Sequence, residues 1–346
     1  MFWVDFHLWQ WCLIFSLSAI AVFGTSKWLV SATDTIGEHT GLSKGFLGAV
    51  MLATATSLPE IFTGISAVTL TDSPDLAVGT VFGSNMFNLM IIGMMELTIL
   101  GPSLLTSISK PTKLSLAFSG ALILVAIIIL AIMQHSTHVP EFAGNISTAI
   151  LIVMYGSLLW LLHKAEPQED FSQQTGDSDH VPSLTKAIWL YTVSTLLIAL
   201  ASIGLSIAGE NIGLMTGVSA SFIGSLLIAF STSLPEVATS FAALRIGSVD
   251  MAVSNMTGSN LFNTGIVLFT SDVAFQSAQR GNLLSAVSSG HIFTAIISLA
   301  MTIFVTSGAY FGSGKRKKFG TLTIGPFGLI ALFLIAQYWL FTNSNV

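Results

Sequence analysis

The chain has 346 residues, of which 52% are apolar and only 8% are charged, and its formal net charge is −5. Soluble globular domains carry roughly a quarter charged residues, so this composition excludes a soluble fold. The mild charge favours no nucleic-acid partner, and the single cysteine, Cys12, excludes an internal disulfide and a cysteine-based metal cluster.

Ten mostly apolar segments follow one another along the chain, each about as long as the roughly 20 residues that a helix needs to cross a bilayer. The first has no basic flank before it and no small-residue cleavage site after it, so we interpret it as a span and not as a signal peptide. In chain order, the predicted spans are Leu8 to Thr35, Gly45 to Leu70, Leu76 to Leu100, Leu114 to Met133, Gly144 to Leu162, Leu184 to Ala208, Ser219 to Leu244, Met251 to Phe275, Leu283 to Tyr310 and Leu322 to Phe341. The sequence therefore predicts an all-α, polytopic protein of about ten transmembrane helices in a lipid bilayer.

A polar segment separates the fifth span from the sixth. It is rich in Glu, Asp, Gln, Ser and Pro, and it predicts a cytoplasmic linker at 164–186 between a first half, 1–163, and a second half, 187–346. Loops rich in Lys and Arg stay in the cytoplasm, and these residues fall mostly in the odd-numbered loops, with Arg280 in an even-numbered one. We therefore expect a multi-pass protein of the plasma (cell inner) membrane with both termini outside.

The sequence contains an internal repeat. Residues Thr40 to Glu60 align without gaps with Thr216 to Glu236, with 11 identities in 21 positions, and Asp75 to Asn88 align with Asp250 to Asn263. The two copies cover about 40–96 and about 216–271. They begin five spans apart, and this odd offset inverts the second copy relative to the first. The sequence therefore predicts two inverted five-helix repeats, an arrangement typical of secondary transporters that bind substrate near the bilayer midplane.

Each copy interrupts an apolar helix with the residues Thr-Ser-Leu-Pro-Glu. Proline lacks an N–H group and crowds the carbonyl four residues earlier, so carbonyls ahead of Pro59 and Pro235 lose their helical partners. In a membrane, free carbonyls persist only where they line a cavity or meet an ion. Spacings of three and four residues place the polar side chains on one helix face. Each copy thus groups carbonyl, hydroxyl and carboxylate oxygens, in Thr56, Ser57 and Glu60 and in Thr232, Ser233 and Glu236.

Two glutamates at equivalent places inside predicted spans indicate a function. A buried charge costs at least about 2.5 to 3.5 kcal/mol on insertion scales, and acids inside spans mark ion pathways. Helix packing would explain one proline kink, but it does not explain the twofold placement of Glu60 and Glu236. Glu96 aligns with Ser271 in the second copy, so we assign it a structural role at the end of its span.

The second motif of each copy, Gly-Ser-Asn-x-Phe-Asn, is predicted to lie on the opposite side of the site from the Thr-Ser-Leu-Pro-Glu segments. Ser84 and Asn88 stand four residues apart and share a helix face, and Ser259 and Asn263 repeat that arrangement. Both copies together offer enough oxygen atoms for Ca²⁺, which takes about 6 to 8 oxygen ligands. No His or Cys belongs to this set, which argues against zinc, copper or a redox metal.

At these motifs the sequence resembles the cation/Ca²⁺ antiporter superfamily, and specifically the prokaryotic type of its sodium/calcium exchanger branch. The two copies are similar to its alpha-repeats, which run Gly-Thr-Ser-Leu-Pro-Glu and then Gly-Asn-x-x-Gly-Ser-Asn-x-x-Asn/Asp. The resemblance implies that the glutamates bind both Ca²⁺ and Na⁺, that threonine carbonyls bind Ca²⁺, and that serine hydroxyls lie at Na⁺ sites. The metal-binding residues that it implies are Glu60, Glu236, Thr56, Thr232, Asn88, Asn263, Ser57, Ser233, Ser84 and Ser259.

The resemblance predicts a secondary active antiporter, and no enzyme, that exchanges Ca²⁺ for Na⁺ by alternating access. The two ions are its substrates, and we expect no cofactor and no obligate protein partner. The residues alone leave three alternatives open: a Ca²⁺ or other cation/H⁺ antiporter, a passive cation channel lined by the same acids, and a membrane sensor or scaffold that binds an ion without moving it. Broken helices in inverted repeats favour a transporter over the last two.

Overall fold

The computed structural model describes residues 6–70, 72–99, 103–135, 141–165, 183–216, 230–312, 318–319 and 322–343. Most of the predicted linker, 164–186, and the first part of the predicted seventh span lie outside these residues. Within these residues, two π-helical turns, Gly48–Leu52 and Asn263–Val267, interrupt the α-helices. The α-helices are α1 Leu8–Thr40, α2 Lys44–Leu47, α3 Ala53–Thr56, α4 Leu58–Thr69, α5 Pro74–Thr98, α6 Leu104–Ser107, α7 Lys110–His135, α8 Glu141–Lys164, α9 Leu184–Thr216, α10 Leu234–Arg245, α11 Val249–Phe262, α12 Leu268–Ser277, α13 Leu283–Ala286, α14 Gly290–Phe311 and α15 Ile324–Asn343.

A helix or a series of helices lies at each of the ten predicted span positions. Within the described residues, six helices are long and apolar enough to cross a membrane, and the segment from α2 to α4, bent by 42°, makes a seventh. The apolar part of α15 is shorter, at Gly325–Trp339, and residues 217–229 ahead of α10 lie outside the described part. The predicted all-α membrane fold is confirmed.

The ninth predicted span, Leu283 to Tyr310, is wrong at its start. Its first residues form the separate short helix α13, and the membrane-length helix α14 begins only at Gly290. The break has a local cause, because the Asn282 side chain caps α13 and the Asp272 carboxylate accepts from the Leu283 N–H. The short helix α6 likewise precedes α7 in the first half.

A small hairpin lies directly before the last helix, where the sequence predicts only a loop and the start of a span. Strands β1 Lys318–Phe319 and β2 Leu322–Thr323 pair antiparallel, with two residues in each strand. The last helix therefore begins at Ile324 and not at Leu322. Two residue pairs do not change the helical class of the fold.

Both helices that carry the Pro-Glu sequence break where the sequence predicts. Ser57, between α3 and α4, has φ −92° and ψ 8°, and Ser233, directly before α10, has φ −88° and ψ 2°. Each proline lies in the first turn of the helix after the break, where an N–H group has no helical partner to lose. Proline thus begins a new helix, and each glutamate lies in its first turn.

The repeats meet where α5 crosses α11 and the π-helical turn after it. Asn85 bonds to Thr264 and Asn88 bonds to Asn260. Residue numbers therefore rise along α5 while those of the bonded residues in the second repeat fall. The two segments therefore run in opposite directions. The Asn88–Asn260 contact also has an exchanged counterpart, Asn85–Asn263, as an inverted repeat requires.

The helices that carry the motifs lie inside, and others face outward. In α5, 83% of the most apolar window is buried in the protein, against 28% in α1. Helix α1 packs along α9, and both expose large apolar side chains, as helices surrounded by lipid do. Examples are Trp9, Leu17 and Ile20 on α1 and Trp189 and Leu200 on α9.

Two carboxylates hold the short helices in place. Glu96 Oε2 accepts from the Leu104 N–H at 2.7 Å, and Asp272 Oδ1 accepts from the Leu283 N–H at 2.8 Å. Both contacts fix the first residue of a short helix, α6 in one half and α13 in the other. Asp272 is therefore the counterpart of Glu96, and the predicted alignment of Glu96 with Ser271 is wrong.

A π-helical turn explains this error in the alignment. Asn88 matches Asn263 in the repeat, whereas Glu96 matches Asp272, which lies one position farther on than that alignment predicts. Between these matches the second copy contains the π-helical turn Asn263–Val267, where the first copy continues as α-helix. A π-helical turn accommodates one extra residue, so the flanking contacts keep the same geometry.

Candidate ion-binding site

Two glutamates lie buried at the helix breaks. Glu60, in α4, and Glu236, in α10, are each only 1% exposed. The repeats touch here, because the Ser57 hydroxyl donates to Glu236 Oε1 at 2.9 Å, and the Ser259 hydroxyl lies 3.4 Å from the same oxygen. The ion pairs of the described residues all involve other acids. A buried carboxylate without a counter-charge is costly in a membrane, so this site requires a cation or a proton.

Seven buried side-chain oxygens of the predicted site residues have no hydrogen-bond partner among the described residues. Native proteins leave few buried polar atoms unpaired, and such atoms often belong to functional sites. Oxygen atoms are the ligands that Ca²⁺ and other hard cations take. The seven unpaired oxygens are Oε1 and Oε2 of Glu60, Oε2 of Glu236, Oδ1 of Asn88 and Asn263, and the hydroxyl oxygens of Ser84 and Ser233.

Four buried asparagines connect the two Gly-Ser-Asn motifs. Asn88 Nδ2 donates to Asn260 Oδ1 at 3.0 Å, and Asn263 Nδ2 donates to Asn85 Oδ1 at 3.3 Å. Asn260 Nδ2 donates to the Asn85 carbonyl at 3.2 Å, and Asn85 Nδ2 donates to the Thr264 hydroxyl at 3.0 Å. The nitrogen atoms of all four amides are therefore bonded to protein.

The two predicted threonines lie at the breaks. Thr56 is the last residue of α3, Thr232 is the last helical residue before Ser233, and both are fully buried. The Thr56 hydroxyl donates to the Leu52 carbonyl at 3.0 Å, within its own helical segment. This bond uses the hydroxyl proton within the helix and leaves lone pairs on the Thr56 hydroxyl oxygen.

A glycine lets α11 approach the first π-helical turn closely. A Cβ atom at Gly258 would lie 2.5 Å from the Ala49 Cα, so no side chain fits there without movement of the backbone. The carbonyl of Met51, in the same turn, accepts from the Tyr191 hydroxyl of α9 at 3.0 Å. The segment before the first break is thus held between helices of the second half.

A profile of the family described as sodium/calcium exchanger protein matches residues 10–163 and 186–342, nearly the whole chain. The chain belongs to this sodium/calcium exchanger family. It is therefore a membrane transporter and not an enzyme. Both repeats lie within the matched segments, and the gap between the segments coincides with the predicted linker.

Known proteins resemble this exchanger-family chain over most of its length. Inner membrane protein YrbG of Escherichia coli (strain K12) is 29% identical over 252 residues, which are 69% of this chain and 72% of that protein. Sodium/calcium exchanger MaX1 of Methanosarcina acetivorans is 24% identical over 334 residues, which are 86% of this chain and 91% of that protein. A solved structure of the sodium-calcium exchanger NCX_Mj has a TM-score of 0.74 at 22% identity and covers 96% of this chain and 100% of that one. This last likeness shows the fold.

Sequence reasoning missed Asn85 and Asn260, which the structure places between the repeats of this exchanger-family chain. Both stand at equivalent positions inside the Gly-Ser-Asn motif, so the repeat itself contained the signal. Asn255 matches the Asn of the family's Gly-Asn pair but was not among the predicted site residues. Its Nδ2 lies 2.9 Å from the hydroxyl oxygens of Thr239 and Ser240 and so connects α11 to α10.

Proposed function

We propose that this chain exchanges Ca²⁺ for Na⁺ across the membrane by alternating access, at a site formed by both repeats. One observation carries the proposal: the buried glutamates Glu60 and Glu236 have oxygens without partners in the part of the protein that the structure describes, and Ser57 bonds to Glu236 across the boundary between the repeats. Membership of the sodium/calcium exchanger family supports it, as does the similarity to MaX1.

Charge and ligand type support the choice of ions. Two carboxylates balance the charge of one Ca²⁺, and the amide, hydroxyl and carbonyl oxygens complete a shell of oxygen ligands. A proton needs only the carboxylates, whereas Na⁺ uses the neutral oxygens as well, so the site favours Na⁺ as the counter-ion. The proposed ion-binding residues are Glu60, Glu236, Thr56, Thr232, Asn88, Asn263, Ser57, Ser233, Ser84 and Ser259.

The proposal includes an arrangement in the cell. We place the chain in the plasma (cell inner) membrane with both termini outside, and with the segment 164–186 in the cytoplasm between the halves 1–163 and 187–346. The distribution of Lys and Arg in the sequence supports this orientation. Ca²⁺ and Na⁺ act as substrates in this scheme, which needs no resident cofactor.

Uptake into proteoliposomes tests the proposed exchange. We expect an outward-directed Na⁺ gradient to drive accumulation of radioactive Ca²⁺, and an equivalent pH gradient without Na⁺ to drive none. Uptake that follows the pH gradient and ignores Na⁺ would replace this proposal with a proton-coupled antiporter. Uptake that needs no counter-ion would indicate a channel.

In the same assay, Glu60→Gln and Glu236→Gln should each reduce uptake to background, because glutamine keeps the size of the side chain but cannot balance a cation. Glu38→Gln is the matched control, since Glu38 is an exposed residue of α1 and should keep normal uptake. Size-exclusion chromatography checks that each variant is folded. Normal uptake by either site variant would contradict the proposal.

A further inference from the structure

The amide groups of Asn88 and Asn263 have two ends, and a cation can use only one of them. An asparagine side chain ends in an oxygen, which binds cations, and in an NH2 group, which only donates hydrogen bonds. Rotating the amide by half a turn exchanges the two ends with little change in shape. An asparagine that binds an ion therefore needs a neighbour that holds it the right way round.

Two hydrogen bonds in series fix the orientation of Asn88. A backbone carbonyl can only accept, so the Asn85 carbonyl must face the NH2 group of Asn260, 3.2 Å away. Asn260 Oδ1 is then the atom that lies 3.0 Å from Asn88, and it must receive the NH2 group of Asn88. The oxygen of Asn88 is left buried, with no donor among the described residues.

The exchanged contact orients Asn263. Its NH2 group donates to Asn85 Oδ1 at 3.3 Å, and the NH2 group of Asn85 donates to the Thr264 hydroxyl at 3.0 Å. Asn263 Oδ1 is also buried without a donor in the described part of the chain. This anchor is less strict than the one for Asn88, because a hydroxyl can donate as well as accept.

We propose that Asn260 and Asn85 are positioning residues for ion binding. Each accepts the NH2 group of the closing asparagine of the other repeat, and so keeps the oxygen of that asparagine available to the transported ion. The side-chain oxygens of Asn260 and Asn85 accept these bonds, so the effect of both residues on the ion is exerted through Asn88 and Asn263. The inference rests on the proposed function, since it takes Asn88 and Asn263 as ion ligands.

The simpler explanation is that the four asparagines only hold α5 against α11. In that case, removing an acceptor would lower stability without a selective effect on ion affinity, and no change at Asn88 would restore what a change at Asn260 removed. The orientation argument predicts a specific rescue. Aspartate presents an oxygen whichever way its carboxylate is turned, so it does not need a neighbour to orient it.

The first measurement is the Kd for Ca²⁺ of the purified full chain, by isothermal titration calorimetry. Asn260→Leu keeps a similar volume but removes the acceptor, and we expect it to raise the Kd roughly tenfold or more, the effect of losing one bond to a charged group. Asn211→Leu is the matched control, because Asn211 donates to the Ile207 carbonyl of its own helix and has no bond to either repeat motif among the described residues. Its Kd should be unchanged.

The second measurement is the rescue. In the Asn260→Leu background, Asn88→Asp should restore Ca²⁺ affinity and Asn263→Asp should not. In the Asn85→Leu background, Asn263→Asp should restore Ca²⁺ affinity and Asn88→Asp should not. Any added carboxylate strengthens Ca²⁺ binding to some extent, so the result is the difference between the two aspartates in one background. A protein in which the asparagines only pack would show no such difference.

The outcomes separate the two proposals. If the unaltered chain binds Ca²⁺ and Asn260→Leu binds equally well, or if both aspartates rescue equally, the positioning role is wrong and the proposed function stands. If the unaltered chain binds no Ca²⁺, both are wrong. Should Asn260→Leu fail to fold, as judged by size-exclusion chromatography, the Asn85→Leu series decides by the same criterion.

Discussion

Ser57 and Ser233 occupy equivalent positions in the two repeats, but the structure uses them differently. The Ser57 hydroxyl donates to Glu236 Oε1, whereas the Ser233 hydroxyl has no partner among the described residues. A monovalent ion gains less from a carboxylate than Ca²⁺ does, so it depends more on neutral oxygens. We expect the double substitution Ser57→Ala, Ser233→Ala to raise the Na⁺ concentration for half-maximal exchange several-fold, and to change Ca²⁺ affinity less.

Initial rates of Ca²⁺ uptake over a series of Na⁺ and Ca²⁺ concentrations measure both effects. Ser157→Ala is the control, because the Ser157 hydroxyl is exposed and bonds to the Val153 carbonyl of its own helix. A greater loss of Ca²⁺ affinity than of Na⁺ dependence would contradict the assignment of these hydroxyls to Na⁺.

Gly258 is the residue at which α11 comes closest to the first π-helical turn. A methyl group there would meet the Ala49 backbone, and overpacking of this kind costs typically about 1 to 3 kcal/mol. We expect Gly258→Ala to lower the unfolding temperature measured by intrinsic fluorescence. Gly156→Ala, where a Cβ meets no atom within 4 Å, should not lower it, since alanine is the better helix former. Equal unfolding temperatures for the two variants would argue against the close contact.

The importance of Glu60 and Glu236 was predictable, because two acids at repeated positions inside apolar helices are visible without a structure. The contacts of Asn85 were not, since its partners lie between 175 and 179 positions away in the chain. Spacing along a helix shows which side chains share a face. It does not show which helix lies opposite, and that determines whether an amide binds an ion or another amide.

The π-helical turn Asn263–Val267 carries one residue more than α-helix would need. Deleting Ile266 from this turn should therefore convert it to α-helix and leave α12 in its present orientation. Asp272 would keep its bond to the Leu283 N–H. We expect this deletion variant to fold and to unfold at nearly the temperature of the unaltered chain.

The matched control is deletion of Ile91, which lies at the corresponding position of the regular helix α5. Loss of one residue from an α-helix rotates everything beyond it by about 100°. This rotation would turn Glu96 away from the Leu104 N–H, so the unfolding temperature should fall clearly. If both deletions destabilise the protein equally, the π-helical turn does not serve to absorb an extra residue.

Hydropathy predicted the positions of the helices well but placed the start of the ninth span wrongly. Leu283, Leu284 and Val287 are all buried, so the apolar pattern continues through the break before α14. The break depends on a cap from Asn282 and a bond to Asp272 from a different helix. The mean hydropathy of a window of residues does not show the contacts that single polar side chains make in the folded protein.

The proposed orientation of the whole molecule has a direct test. With Cys12 replaced by Ser, a cysteine introduced at Ser178 should react with a membrane-impermeant thiol reagent only from the cytoplasmic side, and one at Ser344 only from outside. Right-side-out vesicles measure labelling from outside, and inside-out vesicles measure labelling from the cytoplasmic side. The cysteine-free protein is the control for background labelling. Labelling of both cysteines from the same side would contradict the odd number of spans, five, that is predicted between the linker and the C-terminus.

Inversion of the two halves was predictable from the sequence, because the copies begin an odd number of spans apart. Which helices lie at the centre was not. The helices α1 and α5 have nearly equal hydropathy, yet α5 is almost entirely surrounded by protein and α1 is not. Apolar side chains face lipid and protein alike, so hydropathy does not separate a central helix from a peripheral one.

The exchanged pair of asparagine contacts bears on the direction of transport. In an alternating-access cycle the two repeats swap roles, so contacts that map onto each other contribute equally to both end states and favour neither. A resting preference must come from contacts that lack a counterpart, such as the bond from Ser57 to Glu236, which Ser233 does not repeat with Glu60. Such a preference changes the populations of the two end states and the rates between them, but it does not make the exchange irreversible. The ion gradients then decide whether Ca²⁺ leaves the cell or enters it.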